Sequence, residues 1–290
     1  MVTNVTIPKE KLHPNRVQIS DQAEYIASGR PTVERIQEFI DDPTRDELLN
    51  MGAGPGSGRT IPDETVDNMV AAGIGTSGIF TVVEPADLDL YRSYMYSPLS
   101  MPDKPEVAAI LVDYNHTGNP ITRYQEGFIS VKAKRPDGKE AWLVVSMPVP
   151  NLLMCYMGVA WGLPKYVCDE MRVTPTRAEA IYEGEVRFSL EMTPGPVDED
   201  DDALQKRIAI AMGNALTFHP TKGGTCLINW YGRGRAGARL AEWQTGIVKV
   251  YVRPQDRWAG LIPANSETPG FYRRVVATGG GDMVWEKVKS

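Results

Sequence analysis

Histidine and cysteine are both scarce in this chain, with three of each in 290 residues. No two of His13, His116 and His219 share a metal-ligand spacing, which argues against a zinc site. Cys155, Cys168 and Cys226 are odd in number and include no CxxC pair, so they read as reduced thiols and not as a disulfide framework. No apolar run approaches the length of a membrane span. The N-terminus lacks the charged-then-apolar pattern of a secretory signal. The expectation is therefore a cytoplasmic protein with no membrane partner. An excess of basic charge is missing too: the net charge is −6, which argues against a nucleic-acid partner.

What remains is an ordinary apolar fraction, 42%, in a chain long enough for one large domain with an extension, or for two small ones. Residues 1–20 are polar and read as extended. Short helices are expected from Asp21, from Thr32 as a cap for Val33, Ile36, Phe39 and Ile40, and around Arg45. Gly52 to Thr60 is glycine-rich, but its spacing fits no nucleotide fingerprint, and it reads as a flexible connection or lid. The chain is accordingly divided into a helical N-terminal extension, 1–73, and a main domain, 74–290.

The main domain reads as many strands with few helices between them. Strands are expected over 74–83, 107–114, 127–134, 140–149, 166–173, 180–192, 227–230, 239–243, 247–253, 271–277 and 282–288. Arg135-Pro-Asp-Gly138 supplies a hairpin turn between the third and fourth. Helices are expected after Glu84-Pro85, over 151–161, and over 203–217 behind the acidic run Asp198 to Asp202. Along 183–188, Glu183, Glu185 and Arg187 alternate with Gly184, Val186 and Phe188, which predicts one wet face. This order predicts an antiparallel sheet, curled or closed, with helices outside it.

The chemistry concentrates at Lys165. Between Val144 and Val167 it is the one residue with a basic side chain, in a run where Cys155, Tyr156 and Tyr166 are the other ionisable groups. Burial there disfavours the ammonium and favours the free amine, which can attack a ketone and form an imine. Pro164 fixes the backbone before it, while Gly158 and Gly162 reduce local bulk so that a small ligand or another strand can come close. Imine formation also needs a proton shuttle. Glu126, in Arg123-Tyr-Gln-Glu-Gly-Phe128, stands where a loop meets an apolar strand, and Tyr124 shares its face if the strand begins there. Ordinary readings stand beside these. Lys165 can snorkel to water from a turn, and Glu126 can be a strand-end charge.

Together these residues resemble the acetoacetate decarboxylase family over roughly 75–290. The apolar, glycine-containing segment Gly158 to Lys165, ending in Pro-Lys, is similar to the family's segment around its imine-forming lysine. Tyr124-Gln-Glu126 is similar to its Tyr-x-Glu upstream. Weaker similarity lies in Cys226-Leu-Ile-Asn229, Glu242-Trp-Gln-Thr-Gly246 and Leu261-Ile-Pro263. The resemblance implies a mainly β (α+β) fold: an antiparallel, closed, cone-like β-barrel with peripheral helices and the lysine inside. It also implies a homo-oligomer without a cofactor, an imine on Lys165, and a role for Glu126 in proton transfer or substrate orientation. The implied activity is that of a Schiff-base carbon–carbon lyase acting on a small oxo acid.

Three departures stand out. The family carries a second lysine after the first, where this chain has Tyr166, so desolvation alone is left to activate the nucleophile. The family's first-strand arginine has no counterpart in Ala71 to Val83. A second carboxylate before the Tyr-x-Glu segment is not evident either, Asp113 being the nearest acid. These departures turn the expectation toward aldol condensation and dehydration of pyruvate with an aldehyde. Decarboxylation of acetoacetate or a bulkier β-keto acid is the alternative, and a non-catalytic small-molecule-binding barrel is a third reading. Tyr124, Tyr166, Trp161 and Arg123 are the expected substrate contacts. Arg59, Arg273 and Arg274 are further candidates to hold a carboxylate.

Overall fold

The computed structural model describes residues 63–115, 124–150, 154, 155, 158, 163–198, 200–204, 214–218, 225–229, 238–277 and 284–288. The helices expected before residue 62 and the glycine-rich stretch at 52–60 lie outside the described residues. Of residues 1–73, the last eleven are described, and they hold helix α1 (Asp63–Ala71).

Strand β1 (Gly75–Val83) is followed by helix α2 (Leu88–Ser93), β2 (Val107–Asn115), β3 (Tyr124–Lys134) and β4 (Glu140–Val149). Next come β5 (Lys165–Val167), β6 (Glu170–Val173), β7 (Arg177–Tyr182), β8 (Glu185–Pro194), β9 (Asn214–Phe218) and β10 (Thr225–Asn229). The long strands β11 (Ala238–Val252) and β12 (Ser266–Ala277) flank a 3-10 turn at Ala259–Leu261, and β13 (Val284–Lys287) is last. Their order across the sheet is β13-β10-β9-β4-β3-β2-β1-β12-β11-β8-β7-β6, with β5 attached to β4 beside this path.

The fold is mainly β, as expected, but two features of the expected barrel change. Among the described residues the hydrogen-bonded path is open, ending at β6 and β13; β6, β7 and β8 curl back to touch β1 and β2 without pairing to them. The sheet is also mixed, because β4 pairs in parallel with both β5 and β9.

The curl explains the core. Strand positions alternate between faces, and one face supplies Ile79, Leu111, Ile129, Val131, Leu143, Phe188, Leu190 and Val250 to one cluster closed by Trp258. Full burial of such side chains stabilises the fold by roughly 1.5–3 kcal/mol each. The opposite face is covered as well at the centre of the sheet, so Val107 to Val112 are all buried and β2 reads as an unbroken apolar run. Each local element follows from its sequence. Asp87, and not Glu84, begins α2, its carboxylate accepting from the backbone N–H groups of Asp89 and Leu90. The β3–β4 hairpin closes where the Arg135 N–H donates to the Lys139 carbonyl and Gly138 takes a φ of 78°. No helix among the described residues is long and apolar enough to cross a membrane.

Candidate active site

Lys165 opens β5, a strand of three residues whose register on β4 pairs it with Met147. Its approach is a tight turn: the Leu163 N–H donates to the Gly158 carbonyl and the Lys165 N–H to the Leu163 carbonyl, both at 2.8 Å. Pro164, with its fixed φ, sits at the centre of that turn. Glu126 lies on β3, opposed to Val112 of β2. Pairing of β3, β4 and β5 therefore brings together two residues 39 positions apart, and Lys165 Nζ donates to Glu126 Oε2 at 2.8 Å. Both side chains are buried, at 5% and 1% exposure. A buried pair of this kind endures because the loss of either partner strands the other away from water. One proton moved along the 2.8 Å line converts ammonium and carboxylate into amine and carboxylic acid, the form in which a nucleophile and a proton donor face the same space.

Gly158 makes room for the first residue of β5: a Cβ there would lie 2.2 to 2.8 Å from Cδ, Cε and Cγ of Lys165. The methylene chain thus lies against bare backbone, which aims the amine toward Glu126.

Tyr166, expected among the substrate contacts, is not brought to this pair. Successive residues of a strand point to opposite faces, and its ring lies under the Arg187 guanidinium, 4.3 Å from the centroid. Its hydroxyl is buried beside Ser146. Burial pushes the phenol well above its ordinary range, so it stays protonated. Arg187 is itself buried, contrary to the wet face expected for it. Its Nε donates to both carboxylate oxygens of Asp256 at 2.8 Å, and Arg253 approaches the same carboxylate at 3.3 Å. Local sequence held no signal for this cluster, because Asp256 lies 69 residues away.

Asp113 also faces away from Glu126, being opposed to Gln125, whose amide donates to it at 3.2 Å. Tyr124 is placed on β3 opposite Tyr114. Its side chain, and the whole of Trp161, Arg123 and Arg59, lie outside the described residues.

Cys155 and Cys168 are buried thiols at either end of the segment carrying Lys165. Burial pushes the Cys168 thiol up to about 12. Its reactive thiolate is then about 10³-fold rarer near neutral pH than that of an ordinary cysteine. Native protein is expected to leave Cys168 unalkylated by iodoacetamide at pH 8 while unfolded protein reacts freely, which peptide mass mapping would read. Equal rates in the two states would mean that this wall opens.

Residues 63–288 match the family described as acetoacetate decarboxylase. No curated protein matches the chain in sequence. Among solved structures, the fold is similar to that of an acetoacetate decarboxylase at 15% identity, with a TM-score of 0.55 over 74% of this chain and 89% of that one. It is similar also to acetoacetate decarboxylase from Legionella pneumophila subsp. pneumophila str. Philadelphia 1 (16% identity, TM-score 0.52, 73% of this chain and 85% of that one). A third likeness is to the enduracididine biosynthesis enzyme MppR with HEPES buffer bound (13% identity, TM-score 0.50, 74% and 88%). At these identities the shared property is the fold.

Proposed function

Because the chain belongs to the acetoacetate decarboxylase family, we propose that it is a Schiff-base carbon–carbon lyase in which Lys165 attacks the carbonyl carbon of a small oxo acid. The observation that carries this reading is the buried 2.8 Å contact between Lys165 Nζ and Glu126 Oε2. The amine adds to the carbonyl to give a carbinolamine. Glu126 donates the proton with which the hydroxyl leaves as water, and an iminium on Lys165 results. The iminium withdraws electrons from the neighbouring carbon.

The favoured continuation starts from pyruvate. Glu126 removes a methyl proton, and the enamine that forms attacks the carbonyl carbon of an aldehyde. Loss of water from the adduct and hydrolysis of the imine then release an unsaturated oxo acid and restore Lys165. Two features support this course over decarboxylation: Tyr166 in place of a second lysine, and the lack of any basic residue between Ala71 and Val83. In decarboxylation of a β-keto acid the same iminium would accept the electron pair released with carbon dioxide.

Incubation with pyruvate and borohydride tests the reading. The expected result is a stable adduct whose mass maps to Lys165, because hydride reduces the iminium to a secondary amine. Absence of any adduct with either pyruvate or acetoacetate would leave a binding barrel without catalysis. Release of carbon dioxide from acetoacetate without condensation of pyruvate would reverse the order of the two enzymatic readings.

A further inference from the structure

Lys165 stands on a narrow support. Its strand β5 has three residues and, among the described residues, pairs with β4 alone. Such a strand is held less firmly than the wide sheet that carries Glu126, because fewer contacts resist its motion. Attack on a carbonyl carbon nevertheless needs the amine aimed and kept in place. Gly158 and Glu126 act on the lysine side chain. The next residue, Tyr166, leaves the strand on the opposite side, so whatever holds its ring steadies β5 from the other face.

Arg273 and Arg274, expected as carboxylate holders, lie on β12, the first over the Phe80 ring and the second paired with Glu242. Among the described residues, the arginine packed on the Tyr166 ring is Arg187, whose Cζ is 4.3 Å from the centroid. It comes from β8, tenth in the strand order where β4 is fourth, so the contact exists because the sheet curls. Arg187 is itself pinned. Nε donates to both carboxylate oxygens of Asp256 at 2.8 Å, and Nη2 closes on the same carboxylate. The backbone repeats the link: the Arg187 carbonyl accepts the Arg253 N–H at 2.8 Å, the Arg253 carbonyl accepts the Asp256 N–H at 3.0 Å, and the Asp256 carbonyl accepts the Ala259 N–H at 2.9 Å. The rings of Tyr182 and Trp258 stand 5.3 and 6.0 Å from the same guanidinium, and Trp258 packs edge-on against Phe188. Two nitrogens are thus spent on Asp256 and three rings surround the cation, an arrangement that holds an aromatic ring and not a substrate charge.

We propose that Arg187, locked by Asp256, is the positioning residue of this site: by clamping the Tyr166 ring on one face of β5, it fixes the Lys165 amine at its contact with Glu126 on the other. Arg187 touches neither substrate nor reacting atoms. The assignment rests on the imine reading of Lys165 and deepens it, adding a part of the machinery that lies outside the segment carrying the lysine. The ring is what the clamp grips, so an aromatic residue is required at 166 and the hydroxyl is not.

The test uses the full chain and its Arg187→Met, Arg187→Lys, Tyr166→Leu and Tyr166→Phe variants. Arg172→Met is the control, since Arg172 is an exposed arginine paired with Glu170 on β6. Formation of the pyruvate adduct is timed by quenching with borohydride over a range of pyruvate concentrations, and is counted per molecule folded by circular dichroism. The saturating rate reads the aim of the amine, and the half-saturating concentration reads substrate binding. Arg187→Met and Tyr166→Leu are expected to lower the saturating rate about 10- to 100-fold, with half-saturation changed less than about 3-fold. Arg187→Lys keeps a cation over the ring without the fork to Asp256 and should recover part of the rate. Tyr166→Phe should recover most of what Tyr166→Leu loses, and Arg172→Met should leave the rate unchanged. A crystal structure of Arg187→Met gives a readout independent of the imine: Lys165 Nζ is expected to leave Glu126 Oε2. The proposal is overturned if Arg187→Met and Tyr166→Leu form the adduct at the natural rate, if half-saturation rises at an unchanged saturating rate, or if the 2.8 Å contact survives in Arg187→Met. Where Arg187→Met does not fold, Arg187→Lys and Tyr166→Leu decide by the same criteria. If the natural protein gives no adduct, the imine reading fails, and the distance from Lys165 to Glu126 in the variant still decides the clamp.

Discussion

Replacement of Lys165 by methionine is expected to eliminate the borohydride adduct and to lower kcat/KM on the order of 10⁴-fold or more, the scale seen when a covalent nucleophile is removed. A second loss should accompany the first. Glu126 is 1% exposed, and the variant takes away its 2.8 Å partner. Removing one member of a buried pair costs roughly 3–5 kcal/mol. Lys165→Met should therefore melt well below the natural protein, and Glu126→Gln should be destabilised as well. The double variant Lys165→Met/Glu126→Gln removes both charges and should recover much of the stability with none of the activity. Denaturant unfolding of the four proteins forms a double-mutant cycle, and the activity assay runs beside it. Turnover that survives in Lys165→Met would end the nucleophile assignment. Additive stability losses would show that the two groups are not coupled.

Gly158→Ala should separate activity from stability in the opposite way. The added methyl would fall within 2.2 to 2.8 Å of three carbons of the Lys165 side chain, so the lysine must move. The obstructed atoms belong to a flexible chain and not to backbone, and the fold can absorb the change. Alanine is also the better residue in a helical conformation, by up to about 1 kcal/mol. The melting temperature is expected to change little. The amine, however, is displaced from its line to Glu126, and a misplacement of about 1 Å can cost about 10²-fold in rate. Loss of kcat and of the rate of adduct formation in the same proportion is the expected signature. An unchanged kcat would mean that the lysine has room that the geometry denies it.

Much of the sheet was legible because its strands keep a period of two and are bounded by turn residues. β4 was read at its observed limits, 140–149, and β1, β2 and β10 lie within about two residues of the expected ones. The misreadings share a cause: pairing partners that lie outside the local window. The stretch read as one strand over 180–192 is two, β7 and β8, folded at Glu183 and Gly184, both with positive φ. A glutamate there gives no turn signal of its own. The stretch 166–173 likewise divides into β5 and β6. Conversely, 239–243 and 247–253 were read as two strands but belong to the continuous β11, where the missing side chain of Gly246 lets the Thr193 carbonyl approach to within 2.3 Å of the Cβ position. Residues 214–217, read as the end of a helix, begin β9, whose partners on β4 and β10 decide the matter.

At the candidate site, Lys165 and Glu126 were identified one at a time from residue type and surroundings. Their contact was not readable, because it depends on how β3, β4 and β5 pair. The burial of Arg187 and the turning away of Tyr166 depend on faces and registers, which a sequence specifies only once the strand partners are known.

The brevity of β5 has a consequence for how safely the chain assembles. Three pairings to a single neighbour are a weak gauge of alignment, and slipping by one position would exchange Lys165 with Tyr166 between the two sides of the sheet. The two are mismatched on purpose-like grounds of shape and charge: an amine would then meet the Arg187 guanidinium, and a phenol ring would be driven against Gly158. The unlike neighbours thus act as a key that fits one way round, and the misaligned chain is penalised on both sides at once.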